Sequence, residues 1–154
     1  MVRQSAGLLV YRTINGELEV FLGHPGGPFY KKKDLEVWSI PKGEFTTEKP
    51  LTAAKREFFE ETGFKIKGEF TDLGWVKQKS GKVVYAWACE SDLDASKVKS
   101  NMFALEFPPR SGNFREYPEI DRAEWFDLET AREKILTYQL PFLSKLEKIL
   151  AAKT

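Results

Sequence analysis

Residues 50–63 read Pro-Leu-Thr-Ala-Ala-Lys-Arg-Glu-Phe-Phe-Glu-Glu-Thr-Gly. Proline in the first turn and glycine just past the last are the punctuation of a helix. Leu51, Ala54 and Phe58 stand at i, i+3 and i+7, an apolar face suited to lie on a sheet. Glu57, Glu60 and Glu61 stand at i, i+3 and i+4, so three carboxylates crowd another face. Two charges ~5–6 Å apart repel by about 3 kcal/mol at an effective dielectric near 20. Glu60 and Glu61 also occupy the last turn, where the helix dipole disfavours negative charge by roughly 0.3–1 kcal/mol each. A cluster that costs stability fits a hard divalent cation such as Mg²⁺. A solvated acidic face, eased by Arg56 reaching Glu60 at i+4, is the plainer alternative.

Outward from this helix the chain reads as strands. Residues 6–12 are apolar, Leu18, Val20 and Leu22 alternate across 18–24, and Asn15-Gly16 between them signals a hairpin turn. His24-Pro-Gly-Gly-Pro28 reads as a loop that Lys31-Lys32-Lys33-Asp34 continues. A short strand is expected over 37–40, stopped by Pro41, and a polar loop over 42–49. Residues 82–90 are apolar on both faces, Val83, Tyr85, Trp87 and Cys89 opposite Val84, Ala86 and Ala88, as in a strand covered on both sides. Glu124-Trp125-Phe126 reads as a last strand, with Asp127 capping a helix to about Thr137. Phe142, Leu143, Leu146, Ile149 and Leu150 line one face of a closing helix. Strands interrupted by one early helix and followed by two late ones give an α/β or α+β layered fold, in one domain spanning 1–154.

Composition narrows the chemistry. The 154 residues carry 24 Lys+Arg against 23 Asp+Glu, a net +1, which argues against broad nucleic-acid binding through the phosphate backbone. One cysteine, Cys89, and one histidine, His24, exclude a disulfide scaffold and Cys/His zinc clusters. Metal or acid–base chemistry must run on carboxylates. No apolar run reaches membrane-span length and no signal-peptide pattern opens the chain, so a cytoplasmic location is expected.

The flanks of the helix are specific. Gly43-Glu-Phe-Thr-Thr-Glu48 is followed, after seven residues, by Arg56-Glu-Phe-Phe-Glu-Glu-Thr-Gly-Phe64. This resembles the signature of the Nudix hydrolases, G-x5-E-x7-R-E-U-x-E-E-x-G-U with U bulky and apolar. Every specified position from Glu48 to Phe64 matches. Four residues rather than five separate Gly43 from Glu48, and Lys49 stands where many members have a capping acid. His24-Pro-Gly-Gly-Pro-Phe-Tyr30, Pro108-Pro-Arg-Ser-Gly112 and residues 117–126 are similar to a bacterial subgroup of nucleoside triphosphate pyrophosphohydrolases.

The resemblance implies a Nudix-type α/β/α sandwich with a mixed sheet. It also implies Mg²⁺- or Mn²⁺-dependent hydrolysis of a nucleoside diphosphate linked to another group. Carried over by position, Glu57, Glu60 and Glu61 would hold metal, Arg56 would orient them, and Glu48 would support the site. The base would be Glu57 or a carboxylate of the later loop, with Glu119 preferred over Glu116 and Glu124. Lys42, Gly43 and Arg110 are candidate substrate contacts, Lys31–Lys33 a further phosphate clamp or a solvated run, and Phe29 and Tyr30 candidates for stacking a base. A dinucleoside polyphosphate or RNA-cap-type substrate, or a nucleotide-binding module without turnover, remain alternatives. The partner expected from the resemblance is a nucleotide-type small molecule, and the chain is expected to be a monomer or homodimer.

Overall fold

A computed structural model describes residues 2–153; Met1 and Thr154, at the ends of the expected domain, lie outside the described residues. Its elements are β1 (Gln4–Ile14), β2 (Glu17–Pro25), β3 (Lys42–Phe45), α1 (Pro50–Thr62), β4 (Thr71–Lys77), β5 (Val83–Glu90), β6 (Met102–Glu106), β7 (Phe114–Pro118), β8 (Ile120–Asp127), α2 (Leu128–Lys134) and α3 (Leu140–Ala152). The main sheet runs β4-β5-β1-β2-β8, with β3 added beside β1. It is mixed: β1 lies parallel to β5, while its pairings with β2 and β3 are antiparallel.

β1 divides one of its edges between two partners. Gln4–Gly7 pair with β3, whereas Tyr11–Ile14 pair with β2 across the Asn15-Gly16 turn. Between these pairings Leu8 N–H donates to Pro41 O at 3.3 Å. The strand expected over 37–40 is instead two isolated bridges, Gly23 with Ser39 and Trp38 with Ile135. The expected loop 42–49 begins as β3, because β1 offers it a free edge. Gly7 makes this approach feasible, since a Cβ there would stand 2.5 Å from the Pro41 carbonyl oxygen and 2.6 Å from Lys42 Cβ.

Helices cover both faces. Ala53, Ala54 and Phe58 of α1 are buried against Ala6, Leu8, Val10 and Phe21, with Leu51, Tyr85 and Trp87 around them and Cys89 inside. On the other face, Ala131 of α2 and Phe142, Leu143 and Leu146 of α3 close over Leu9, Val20, Val84, Ala86 and Ala88. The two faces of β5 divide as its alternation implied. Asp127 caps α2 as expected, accepting from Thr130 N–H at 2.7 Å. That helix ends at Lys134 rather than near Thr137, which lies in a 3-10 turn. β6 and β7 form a separate two-stranded hairpin, and β8 begins at Ile120, four residues earlier than the sequence pattern marked. Among the described residues no helix is long and apolar enough to cross a membrane.

Candidate active site

The carboxylate face of α1 opens onto a cleft of about 380 Å³ lined by Lys42, Gly43, Glu44, Glu57, Glu60, Glu61, Lys82, Asn101 and Glu119. Local sequence explains how α1 is held. Its start lacks a side-chain cap at Lys49 and has no acid in the first turn. Its end is secured: Gly63, in the left-handed region, donates to Phe59 O at 2.7 Å. The orphan carbonyls of Glu60 and Thr62 accept from Asn101 and Lys99 N–H at 3.0 and 2.9 Å. Asn101 O in turn accepts from Glu119 N–H at 2.8 Å. A backbone ladder thus leads from the last turn of the acidic helix to Glu119, placing that carboxylate across from Glu61.

Arg56 organises the helix side of the cleft. Its Nε lies 2.9 and 3.1 Å from the two Glu48 oxygens, and its Nη2 lies 2.6 Å from Glu48 Oε1. Nη1 donates to Glu57 Oε1 at 2.9 Å and to Glu60 Oε2 at 3.0 Å. One guanidinium therefore fixes three carboxylates, and the short 43–48 loop does not prevent Glu48 from taking part. Arg56 in turn holds Glu48 below the usual carboxylate range. Gly43 has a steric role that the motif alone did not explain. A Cβ at Gly43 would lie 1.9 Å from Glu57 Oε2, so the Glu57 carboxylate occupies the space that any side chain there would need.

The opposite side is under electrostatic stress. Burial pushes the Glu61 carboxyl up to about 8, and the charges of Glu119 and Glu57 add to the rise, while Lys42 opposes it through its charge and a backbone hydrogen bond. Burial also raises Glu57 and Glu119, and lowers the Lys42 and Lys82 ammonium groups. Desolvated carboxylate oxygens around one cleft are the donor set a hard divalent cation takes. As they stand, Glu57 and Glu60 are turned onto Arg56, and among the described residues no three such groups converge at ligand distance. The donors fit a cation in kind.

A testable consequence follows for metal-free protein. An exposed glutamate titrates at about 4.3, against about 8 for folded Glu61. Between those values the folded chain holds more protons than the unfolded one, so its stability falls as pH rises. In EDTA the melting temperature should drop between pH 5 and pH 8. Glu61→Gln should flatten that slope and melt at or above wild type at pH 8. A melting temperature that climbs over this window in EDTA contradicts the assignment.

Beyond Lys42, Glu61 and Glu119 the cleft continues into a groove of about 250 Å³ lined also by Gly23, Pro25, Tyr30, Val37, Ser39, Ile40, Ile120 and Leu136. The structure thus brings together Lys42, Gly43, Glu57, Glu60, Glu61 and Glu119, with Arg56 and Glu48 behind them. Arg110 is not among the lining residues. It sits at the tip of the β6–β7 hairpin, where its N–H donates to Glu106 Oε1 at 3.0 Å. Tyr30 lines the groove, whereas the exposed Phe29 ring packs edge-on against Phe107 at 5.4 Å. His24, expected in a loop, is a buried residue of β2, because its pairing with β8 continues through it. Lys82 and Asn101 were missed; charge alone does not single out one lysine among many, and Asn101 acts through its backbone.

A mixed sheet thus lies between helices, with an arginine-organised acidic helix at a cleft. The family described as NUDIX domain matches residues 1–146, and the chain belongs to it. An RNA pyrophosphohydrolase of Bartonella henselae is 27% identical over 160 residues, covering 89% of this chain and 83% of that protein. Among solved structures, the Caenorhabditis elegans Ap4A hydrolase in a binary complex aligns at TM-score 0.68 and 25% identity, covering 98% of this chain and 99% of that one. The NUDIX domain of Shewanella oneidensis NrtR, crystallised with ADP ribose, shares the fold at TM-score 0.68 and 14% identity, over 97% and 89% of the two chains.

Proposed function

We propose that the chain is a divalent-metal-dependent pyrophosphohydrolase that cleaves a nucleoside diphosphate linked to another group and releases a nucleoside monophosphate. The observation that carries this reading is the continuity of two unlike spaces. The carboxylate cleft and the part-apolar groove share Lys42, Glu61 and Glu119 as their common wall. A diphosphate at that wall would leave a nucleoside to one side beside Tyr30.

Glu57, Glu60 and Glu61 would hold Mg²⁺ or Mn²⁺, which when bound neutralises phosphoryl charge and makes water more acidic. Arg56, braced by Glu48, sets the direction of Glu57 and Glu60. Lys42 supplies positive charge to the phosphate. Glu119 takes the proton from the attacking water, a role its raised titration suits better than that of an ordinary surface carboxylate.

Glu119→Gln should therefore depress kcat by about 10²-fold or more with little change in KM, since a general base acts in the transition state. If that variant turns over normally while Glu57→Gln does not, the base lies on α1. A dinucleoside polyphosphate is a second reading, supported by the near-complete overlap with the nematode Ap4A hydrolase. Purified protein with Mg²⁺ should be offered nucleoside triphosphates, nucleotide sugars, ADP-ribose, dinucleoside polyphosphates and 5′-triphosphorylated RNA. Release of a nucleoside monophosphate from at least one of them, or of pyrophosphate from the RNA to leave a 5′-monophosphate end, supports the proposal, the preferred member choosing between the readings. Nucleotide binding without turnover on every one overturns it.

A further inference from the structure

The groove has walls from distant parts of the chain: Tyr30 in the 26–36 loop, and Glu119 with Ile120 at the β7–β8 junction. The end of β2 joins them. A Cβ on Gly23 would stand 2.6 Å from Ile120 Cδ1, and one on Gly26 would stand 1.8 Å from the Pro118 carbonyl oxygen. Gly26 N–H donates to Glu119 O at 3.1 Å. His24 lies between these two glycines, fully buried, its ring edge-on to Trp38 at 5.1 Å. Its Nε2 is 2.7 Å from Lys33 O and its Nδ1 is 2.8 Å from Asp121 Oδ1. A carbonyl oxygen only accepts, so Nε2 carries a hydrogen and donates it. Nδ1 and the Asp121 carboxyl then share one proton between them.

The strand register explains why Asp121 is available. His24 is opposite Arg122, but Pro25 is opposite Ile120, so Asp121 is the extra residue of a β-bulge. A bulge re-aims side chains locally, and here the carboxylate of the unpaired residue bonds the neighbouring strand's histidine.

We propose that His24 and Asp121 are positioning residues, a single clasp that holds the Tyr30 loop and the Glu119 junction at a fixed separation and so sets the width of the groove. Neither side chain lines the groove. His24 grips one wall through Lys33 O, while Asp121 lies two residues beyond Glu119. The far end of the loop has separate ties: Trp38 Nε1 donates to Asp34 at 3.1 Å, and Lys134 pairs with Asp34. Loss of the clasp should therefore loosen the two walls without unfolding the sheet. The kinetic part of the test rests on the proposed nucleotide hydrolysis, whereas the clasp itself is read without turnover.

The chain has one histidine, so its ring N–H proton can be followed by NMR without assignment ambiguity. In wild type it should be protected from solvent exchange. Asp121→Asn and His24→Gln should each raise amide hydrogen exchange in 26–36 and 118–121, leaving α1 and β5 unchanged. Each should also raise KM for the best nucleotide substrate by about 10-fold, the low end of what loss of an outer-shell partner costs. The double variant should be no worse than the worse single one, because the two residues act as a unit. A freely exchanging ring N–H in wild type, exchange that rises across the whole chain, or fully additive effects would overturn the clasp. If wild type cleaves no member of the substrate panel, the proposed function fails, and the exchange data still decide the clasp.

Discussion

Glu60→Gln is expected to lower Mg²⁺-dependent turnover by about 10²–10³-fold, the range that removal of one preorganised electrostatic group costs. The side chain keeps its size, and its amide oxygen can still accept from Arg56 Nη1, which reaches Glu60 at 3.0 Å in the native site. What it loses is one negative charge facing the cleft. Folding should hardly respond: the half-exposed i,i+4 pair with Arg56 is worth about 0.3–0.5 kcal/mol, and removing a neighbour of Glu57 relieves repulsion of similar size. The measurement is steady-state turnover beside thermal melting in EDTA. Wild type should lose turnover in EDTA, and the variant should melt within a few degrees of wild type. Full turnover by the variant, or by wild type in EDTA, refutes a cation held by α1.

Gly43→Ala should be nearly as damaging, although alanine is the smallest side chain glycine can gain. The new Cβ would lie 1.9 Å from Glu57 Oε2 and 2.1 Å from its Cδ. Glu57 must swing away, and the 2.9 Å bond from Arg56 Nη1 goes with it. A catalytic group misplaced by ~1 Å can cost about 10²-fold in rate. The expected result is a fall in kcat of that order with weaker Mn²⁺ binding, read by calorimetry. If the alanine variant binds Mn²⁺ and turns over as wild type does, the close approach is unimportant.

α1 was legible because its signals are local: an apolar period of helical spacing, Pro50 at the start and Gly63 at the end. β5 was legible for the same reason, with both faces apolar. β3 was not, because Lys42–Phe45 carries no apolar alternation and exists only through the edge that β1 leaves open. β6 and β7 escaped notice because a two-stranded hairpin with largely exposed residues needs no buried face to mark it. Within the site, the motif placed Arg56 among its carboxylates, and the structure has it bonded to three of them. Glu119 was singled out by resemblance only; no periodicity or spacing brings it near Glu61, because a backbone ladder through Asn101 does so. The pattern marked Gly43 without giving a reason, which the position of the Glu57 carboxylate now provides. His24 was misplaced because Pro-Gly-Gly-Pro directly after it reads as loop, while strand pairing with β8 carries one residue further.

The parallel pairing at the centre of the sheet bears on how the chain reaches this structure. Gln4 pairs with Val83, a separation of 79 residues (83 − 4), and the same offset holds to Tyr11 with Glu90. Contacts so far apart in sequence slow folding, because the loop must close before the pairing rewards it. During synthesis, β1 and β2 leave the ribosome as an apolar hairpin long before residue 90 follows. Until then the β1 edge that will meet β5 is open to any other strand. Refolding yield should accordingly fall as protein concentration rises, with the 4–14 segment as the point of mispairing.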